Sequence, residues 1–369
     1  MPANQAAYQP AKQAPSLVVS EAPYPIVGEG QIVVRNAAVA VNLIDRRIQS
    51  RGDIMFTYLK YPFVLGFDMA GEVVEVGKGV TRFAVGDRVL GFSRAAEESI
   101  NNSAEGAFQQ YAILRQDYVS PIPDEVAYED ASVVPLGFAT ASAALFDKTQ
   151  LGLDMPRQPA RPATGQTVLV WGGSTSVGCN AVQLAVAAGY EVFATASSKN
   201  FQYLRKLGAA RVFDYNSSTV VDDVLAALTD KVTAGALSIA DGAAEKCMSI
   251  MAKSNGNRFV AMVAFPLSET ALQSMGMMRT VLAFASWMIS YKLRGAIRGV
   301  KSSLVSISPI LDDGTGKYLF NEFLPEALRA GTFLPAPAPL IVGKDLEHLQ
   351  KGFDLQKEGV SARKLVVTL

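Results

Sequence analysis

Metal-binding side chains are scarce in this chain: two cysteines, Cys179 and Cys247, and one histidine, His348, in 369 residues. Both cysteines fall in apolar stretches that read as helical, so neither a disulfide framework nor a four-thiolate zinc lobe can be assembled from them. Sparse cysteine suits a reducing compartment. An excess of either charge is also lacking. The 34 basic residues balance 34 acidic ones, which removes the footprint of a nucleic-acid binder or a basic membrane-surface protein. Small molecules or other proteins remain as partners. No apolar run is long enough to span a membrane. The run TVLAFASWMIS at 280–290 falls short of the roughly 18 residues required, and reads as a buried helix or a subunit contact. The opening MPANQAAYQPAKQAPS has neither the apolar core of a signal peptide nor the arginines of a presequence, so a cytoplasmic location is expected.

A chain of this length exceeds one ordinary core and predicts two domains. Before residue 151, short β-rich runs such as QIVVRNAAVAV, GEVVEVG and DRVLGF are punctuated by Gly, Asp and Pro, the pattern of an irregular β-domain. From Thr167 the pattern alternates. TVLVWG, EVFATA, RVFDY, ALSIAD and RFVAMVAF read as strands with helices between them, as in a parallel sheet covered on both faces. The proline-rich LPAPAPL at 334–340 reads as a semi-rigid connector. After it come a helix, HLQKGFDLQKEG, and a last strand, RKLVVTL, that rejoins the first domain. The fold class is therefore α/β, with residues 1–140 and 335–369 forming the β-domain and 141–334 the doubly wound domain.

The strand TVLVW runs into Gly173, Ser174, Thr175, Ser176, Val177 and Gly178. A glycine-rich turn between a buried strand and a helix is an anion site, because free amides and the helix dipole face a pyrophosphate that lacks no room to approach. The usual spacing is G-x-G-x-x-G. Gly173 and Gly178 hold its first and third positions and Thr175 replaces the second. That change pushes the pyrophosphate outward, while the hydroxyls of Ser174, Thr175 and Ser176 are placed to donate to it. A branched side chain at Gly173 is expected to crowd the pyrophosphate and leave the apoprotein folded. An acid about 20 residues after the first glycine would grip the ribose of NAD. None occurs between Glu191 and Asp214, and the strand ends in Ser197, Ser198, Lys199 and Asn200. Ser197 and Lys199 suit a 2′-phosphate, which favours NADPH. Tyr215 is placed to stack on the adenine, or is a plain strand-end tyrosine.

With these features in order, together with NLIDRRIQ, YPFVLGFDMAGEVVEVGKGVTRFAVGDRVLGF, GAFQQYAIL and VVPLGFATASAALF, the chain resembles the medium-chain dehydrogenase/reductase superfamily over nearly its full length. It is most similar to the zinc-independent quinone oxidoreductase and enoyl reductase branch, including fungal trans-acting enoyl reductases. The resemblance implies a GroES-like first domain, a Rossmann second domain, a substrate cleft between them and a homodimer, with VAMVAF as edge strand and, together with the apolar segment that follows it, as the contact. In the zinc enzymes a histidine ligand stands where this chain has Phe67, and no cysteine ligand occurs near Asn42. Asp68 alone is a poor zinc site, so no metal is expected.

Conjugate hydride addition needs no Lewis acid, since charge delocalises onto oxygen. The implied activity is NADPH-dependent reduction of an enone, enoyl thioester or quinone. By the resemblance Asn42 and Asp45 organise the cleft, although Leu43 replaces the family's proline, and Arg47 sits near the acyl group as an oxyanion partner. Tyr58, Lys60 and Tyr61 are candidate proton donors, with water as the alternative. Thr140 matches a threonine near the nicotinamide amide, and Arg363 and Lys364 either reach the cofactor or decorate the last turn. A carrier-bound acyl chain is an alternative substrate, as for a trans-acting reductase. Another biosynthetic reaction on the same fold, or NADPH binding with little turnover, are the remaining alternatives.

Overall fold

The computed structural model describes residues 2–240, 242–263 and 275–369. The end of ALSIAD and the last two residues of RFVAMVAF therefore lie outside the described residues. The chain divides into two compact units, Met1–Leu136 with Lys317–Leu369, and Gly137–Gly316. The second crossing falls earlier than the proline-rich segment suggested. Phe320 and Phe323 are buried in the first unit, Phe320 edge-on to Tyr118 at 6.4 Å and Phe323 edge-on to Phe333 at 6.3 Å. The contact of Phe320 with Tyr118 ties residues 317–334 to it, and that of Phe323 with Phe333 packs the segment on itself.

In the first unit the long strand Gln31–Val41 is central. It pairs antiparallel with Asp68–Val76 on one side and with Arg363–Thr368 on the other, and Tyr111–Arg115 also pairs with it. The last strand thus rejoins the β-domain, with Leu365 opposite Val41 and Val367 opposite Val39. The proline-rich segment is only partly a connector. Its final residues open the strand Ala338–Lys344, at the end of the sheet order, where Pro339 can be tolerated at a sheet edge.

The second unit is a parallel sheet in the order Arg211–Asp214, Glu191–Ala196, Gln166–Trp171, Val232–Ser238, Phe259–Met262, Lys301–Leu304. Counted along the chain this is 3-2-1-4-5-6, the doubly wound order of the Rossmann fold. Val168, Leu169 and Val170 are all fully buried, so both faces of the central strand are covered and apolar residues are continuous rather than alternating. Phe259–Met262, taken from sequence as the edge, is flanked instead by Val232–Ser238 and Lys301–Leu304. The carboxyl ends of strands 1 and 4 diverge at the switch point, where ligands of such sheets bind.

The apolar run at 280–290 departs from one of its two readings, the buried helix, and leaves the subunit contact open. It lies within the helix Met277–Arg298, in which Thr280, Tyr291 and Gly295 are buried while Met278, Leu282, Ile289, Leu293 and Ile297 are exposed, Ile297 by 85%. The helix is apolar around most of its circumference, and among the described residues its buried side is the one carrying Tyr291. Among the described residues no helix is long and apolar enough to cross a membrane.

Candidate active site

The turn after Gln166–Trp171 explains the replaced glycine. Gly172 takes the positive φ, +93°, so the chain reverses one residue before the first position assigned from sequence. Thr175 is the N-cap of the helix Ser176–Ala187: its hydroxyl donates to the Gly172 carbonyl at 2.8 Å and accepts from the Gly178 amide at 3.0 Å. A glycine there would lack the cap. The Thr175 proton is thereby committed within the loop, which corrects the expectation that it donates to a pyrophosphate. Gly178 is required by close packing. A Cβ on it would lie 2.2 Å from the Gly172 oxygen.

Gly173 also departs from expectation. A Cβ there would meet Leu204 Cδ1 at 2.9 Å and Ala194 Cβ at 3.0 Å, so a valine would strike the unit's own core rather than only a ligand. The helix start nevertheless fits an anion. Its first-turn amides, Ser176 and Val177, have no acceptor within the helix, and Ser176 Oγ is buried without a partner. Ser174 is half-buried in the same turn. Gly137 lets this helix start approach its neighbour, for a Cβ on Gly137 would sit 2.5 Å from Ser176 Oγ.

At the end of the next strand, Ser197 leads into the turn Ser198–Asn200. Asn200 is mostly buried and donates from Nδ2 to Ser197 Oγ at 3.1 Å, which orients the serine. Lys199 is exposed, and Tyr215 is 41% exposed at the end of Arg211–Asp214, its amide donating to Ala196 O at 3.3 Å. Ser197, Lys199 and Tyr215 therefore gather at the carboxyl ends of adjacent parallel strands.

The first unit holds a buried polar cluster around Asp68. The helix Leu43–Met55 starts at Asn42, with Leu43 in its first position, and the Asn42 amide donates to Asp45 Oδ2 at 2.8 Å. Asn42 Nδ2 donates to Asp68 Oδ2 at 2.9 Å, and the Leu136 amide donates to Asp68 Oδ1 at 2.6 Å. The Lys364 ammonium lies 2.8 Å from Asp68 Oδ2 and donates to Asn42 Oδ1. Lys364 is thus a buried partner of Asp68 and Asn42, which corrects its reading as decoration of the last turn. Arg363 is exposed and donates to Pro339 O. The Lys364–Asp68 pairing was missed from sequence. A lysine opening the apolar run LVV, together with a lone aspartate in another apolar strand, was the available signal.

Asp45 is fully buried, and its Oδ1 has no hydrogen-bond partner. Burial pushes its carboxyl up to about 7, with the Asp68 charge adding to the rise and the Asn42 amide and Lys364 opposing it. The sign for stability follows. The folded chain holds this proton over a range in which the unfolded chain has released it, so stability falls as pH rises from the ordinary carboxylate range through about 7. Asp45→Asn is expected to raise the Tm relative to the parent at pH 8 and much less at pH 5, in paired thermal melts. Equal differences at both pH values would refute this.

The remaining candidates separate. Arg47 is half-buried on the helix that Asn42 and Asp45 start. Tyr58 donates to Ala96 O at 2.7 Å, and burial followed by the charges of Glu98 and Glu97 pushes its phenol up to about 12. Lys60 is exposed. Tyr61 has a buried hydroxyl without a partner, close enough to Gly52 that a Cβ there would lie 2.7 Å away. Thr140, in the second unit, is half-buried on the helix Pro135–Phe146. Phe67 is buried and stacked on Phe92 at 6.1 Å. His348 packs against Gly343, as a packing residue would.

Two family models match the chain: an alcohol dehydrogenase GroES-like domain at residues 28–124 and a zinc-binding dehydrogenase domain at 176–301. The protein named dehydrogenase pigH, from Monascus ruber, is 57% identical over the whole of both chains. The chain belongs to the medium-chain dehydrogenase/reductase superfamily. It is also similar to trans-enoyl reductase himH of Aspergillus japonicus, 35% identical over 99% of this chain and 97% of the other. The fold matches the solved structure of CurK enoyl reductase with a TM-score of 0.73, at 17% identity and 99% coverage of each chain. Members of this superfamily are oxidoreductases that bind a nicotinamide cofactor, and the cradle at Ser176 fits one. Although the second family model carries zinc in its name, among the described residues no three His, Cys, Asp or Glu side chains come together to hold a metal.

Proposed function

We propose that the chain is an NADPH-dependent reductase that adds hydride to an activated carbon–carbon double bond or a quinone without a metal ion. The observation that carries this reading is the state of residues 66–68. Phe67 packs into Phe92, and both oxygens of Asp68 are held by donors of the chain itself. A metal-assisted alcohol oxidation lacks its ligands there, whereas conjugate reduction does not need them. The acid-free strand end with Lys199 and Ser197 supports NADPH over NADH.

When bound, the reduced nicotinamide supplies the hydride. The phosphate cradle is formed by Gly173–Gly178, with Ser174, the Ser176 and Val177 amides and the helix dipole facing the pyrophosphate. Thr140 holds the cofactor amide. Asn42 and Asp45 fix the start of the helix that carries Arg47, and the permanently charged guanidinium stabilises the developing oxyanion. Arginine does not release its proton at neutral pH, so the proton comes from elsewhere. Tyr58 is committed to Ala96 O, which leaves Lys60, Tyr61 or water. Tyr58→Phe is expected to keep kcat within about twofold of the parent and to lower stability by about 1 kcal/mol. A kcat loss of about 10²-fold or more would restore Tyr58 as the acid.

The direct test is NADPH oxidation against a panel of enones, enoyl thioesters and quinones, before and after chelator treatment. Saturable, chelator-insensitive turnover is expected. Tight NADPH binding without turnover, or stoichiometric zinc with chelator sensitivity, would overturn the reading. Relatives named trans-enoyl reductases favour a second form of it, in which the acyl chain arrives on a carrier protein of a polyketide-type synthase. Turnover of a carrier-bound enoyl group when free thioesters fail would select that form.

A further inference from the structure

Lys364 opens the buried stretch of the strand Arg363–Thr368, and its side chain is 4% exposed beside an Asp68 side chain that is fully buried. A buried ion pair of this kind is weak evidence for a stabilising device, because taking both charges out of water offsets most of their attraction. The geometry points to a different use. Asn42 is held at both ends of its carboxamide, with Nδ2 donating to Asp68 and Oδ1 accepting from the ammonium, while its own backbone amide donates to Asp45. Turning the carboxamide over would lose both side-chain bonds and aim its NH₂ at a cation. One ammonium therefore ties together the final strand, the strand opening at Asp68 and the first residue of the helix bearing Arg47.

We propose that Lys364 is a positioning residue for hydride transfer, whose ammonium locks the Asn42 carboxamide and the Asp68 carboxylate in one arrangement and so fixes the helix that presents Arg47. The assignment rests on the reductase reading for its kinetic consequence but not for its geometry. On that reading Arg47 is the group at the reacting oxygen, and Lys364 acts through Asn42.

Two variants test it. Lys364→Met leaves Asp68 buried and uncompensated, so it is read only if it folds; Asp68→Asn/Lys364→Met removes both charges, and its one carboxamide oxygen serves either Asn42 Nδ2 or the Leu136 amide. In the double variant, read well below its own Tm, kcat for an enone is expected to fall by about 10²-fold with the NADPH Kd close to the parent's. The Asn42 side-chain amide signals, assigned in a nitrogen-15 spectrum by their loss in Asn42→Ala, are expected to shift or broaden in the cofactor-free protein. Parental kcat in the double variant, or unmoved Asn42 amide signals, would overturn the proposal. If the parent itself turns over no acceptor, the reductase reading fails, while the amide signals still decide whether Lys364 positions Asn42.

Discussion

Lys199→Glu should raise the Kd for NADPH by about 10³-fold, near 4 kcal/mol, while changing the Kd for NADH by no more than about threefold. Lys199 is exposed at the carboxyl end of Glu191–Ala196, next to Ser197, with Tyr215 one strand over. Under the proposed NADPH reading, the substitution would exchange a charge-assisted hydrogen bond to the 2′-phosphate for carboxylate repulsion. It also installs the acid that in other Rossmann domains grips a ribose hydroxyl. Fluorescence titration with both coenzymes reads the two effects separately. Equal losses for NADPH and NADH would remove the 2′-phosphate assignment.

Gly178→Val should abolish coenzyme binding and lower stability by more than about 3 kcal/mol. Even the first side-chain carbon would sit 2.2 Å from Gly172 O and 2.7 Å from Gly173 Cα. Both contacts are backbone, so no side chain can turn aside, and the helix Ser176–Ala187 must move off the sheet. That movement also breaks the bond from the Gly178 amide to Thr175 Oγ1 and withdraws the first-turn amides from the pyrophosphate. Calorimetric titration and thermal melts check both parts. A variant that melts with the parent and binds NADPH would show that the turn tolerates a side chain.

The strongest signals in the sequence came from local pattern. Parallel strands such as Gln166–Trp171 could be read because burial on both faces makes them continuously apolar, and the helix Ser176–Ala187 because it follows a glycine-rich turn at the end of such a strand, whereas the capping role of Thr175 emerged only from the structure. The acid-free end of Glu191–Ala196 was equally visible, since it depends on neighbours in sequence. What escaped depends on distant partners. Lys364 and Asn42 are 322 positions apart, and although a lysine opening an apolar run hints at burial, nothing local names its partner. Gly173 and Gly178 share a motif, yet one glycine makes room for Leu204 and Ala194 and the other for Gly172 O, a difference that only packing reveals. The helix Met277–Arg298 shows the converse: composition announced an apolar surface without saying whether this chain covers it.

Hydride destination is the most direct measure of the central claim. The parent enzyme, supplied with NADPH deuterated at the transferable position of the nicotinamide and an α,β-unsaturated ketone, is expected to place deuterium on the carbon β to the carbonyl, as read by mass spectrometry and deuterium NMR of the product. Deuterium on the carbinol carbon would mean carbonyl reduction of the alcohol dehydrogenase kind and would contradict the account.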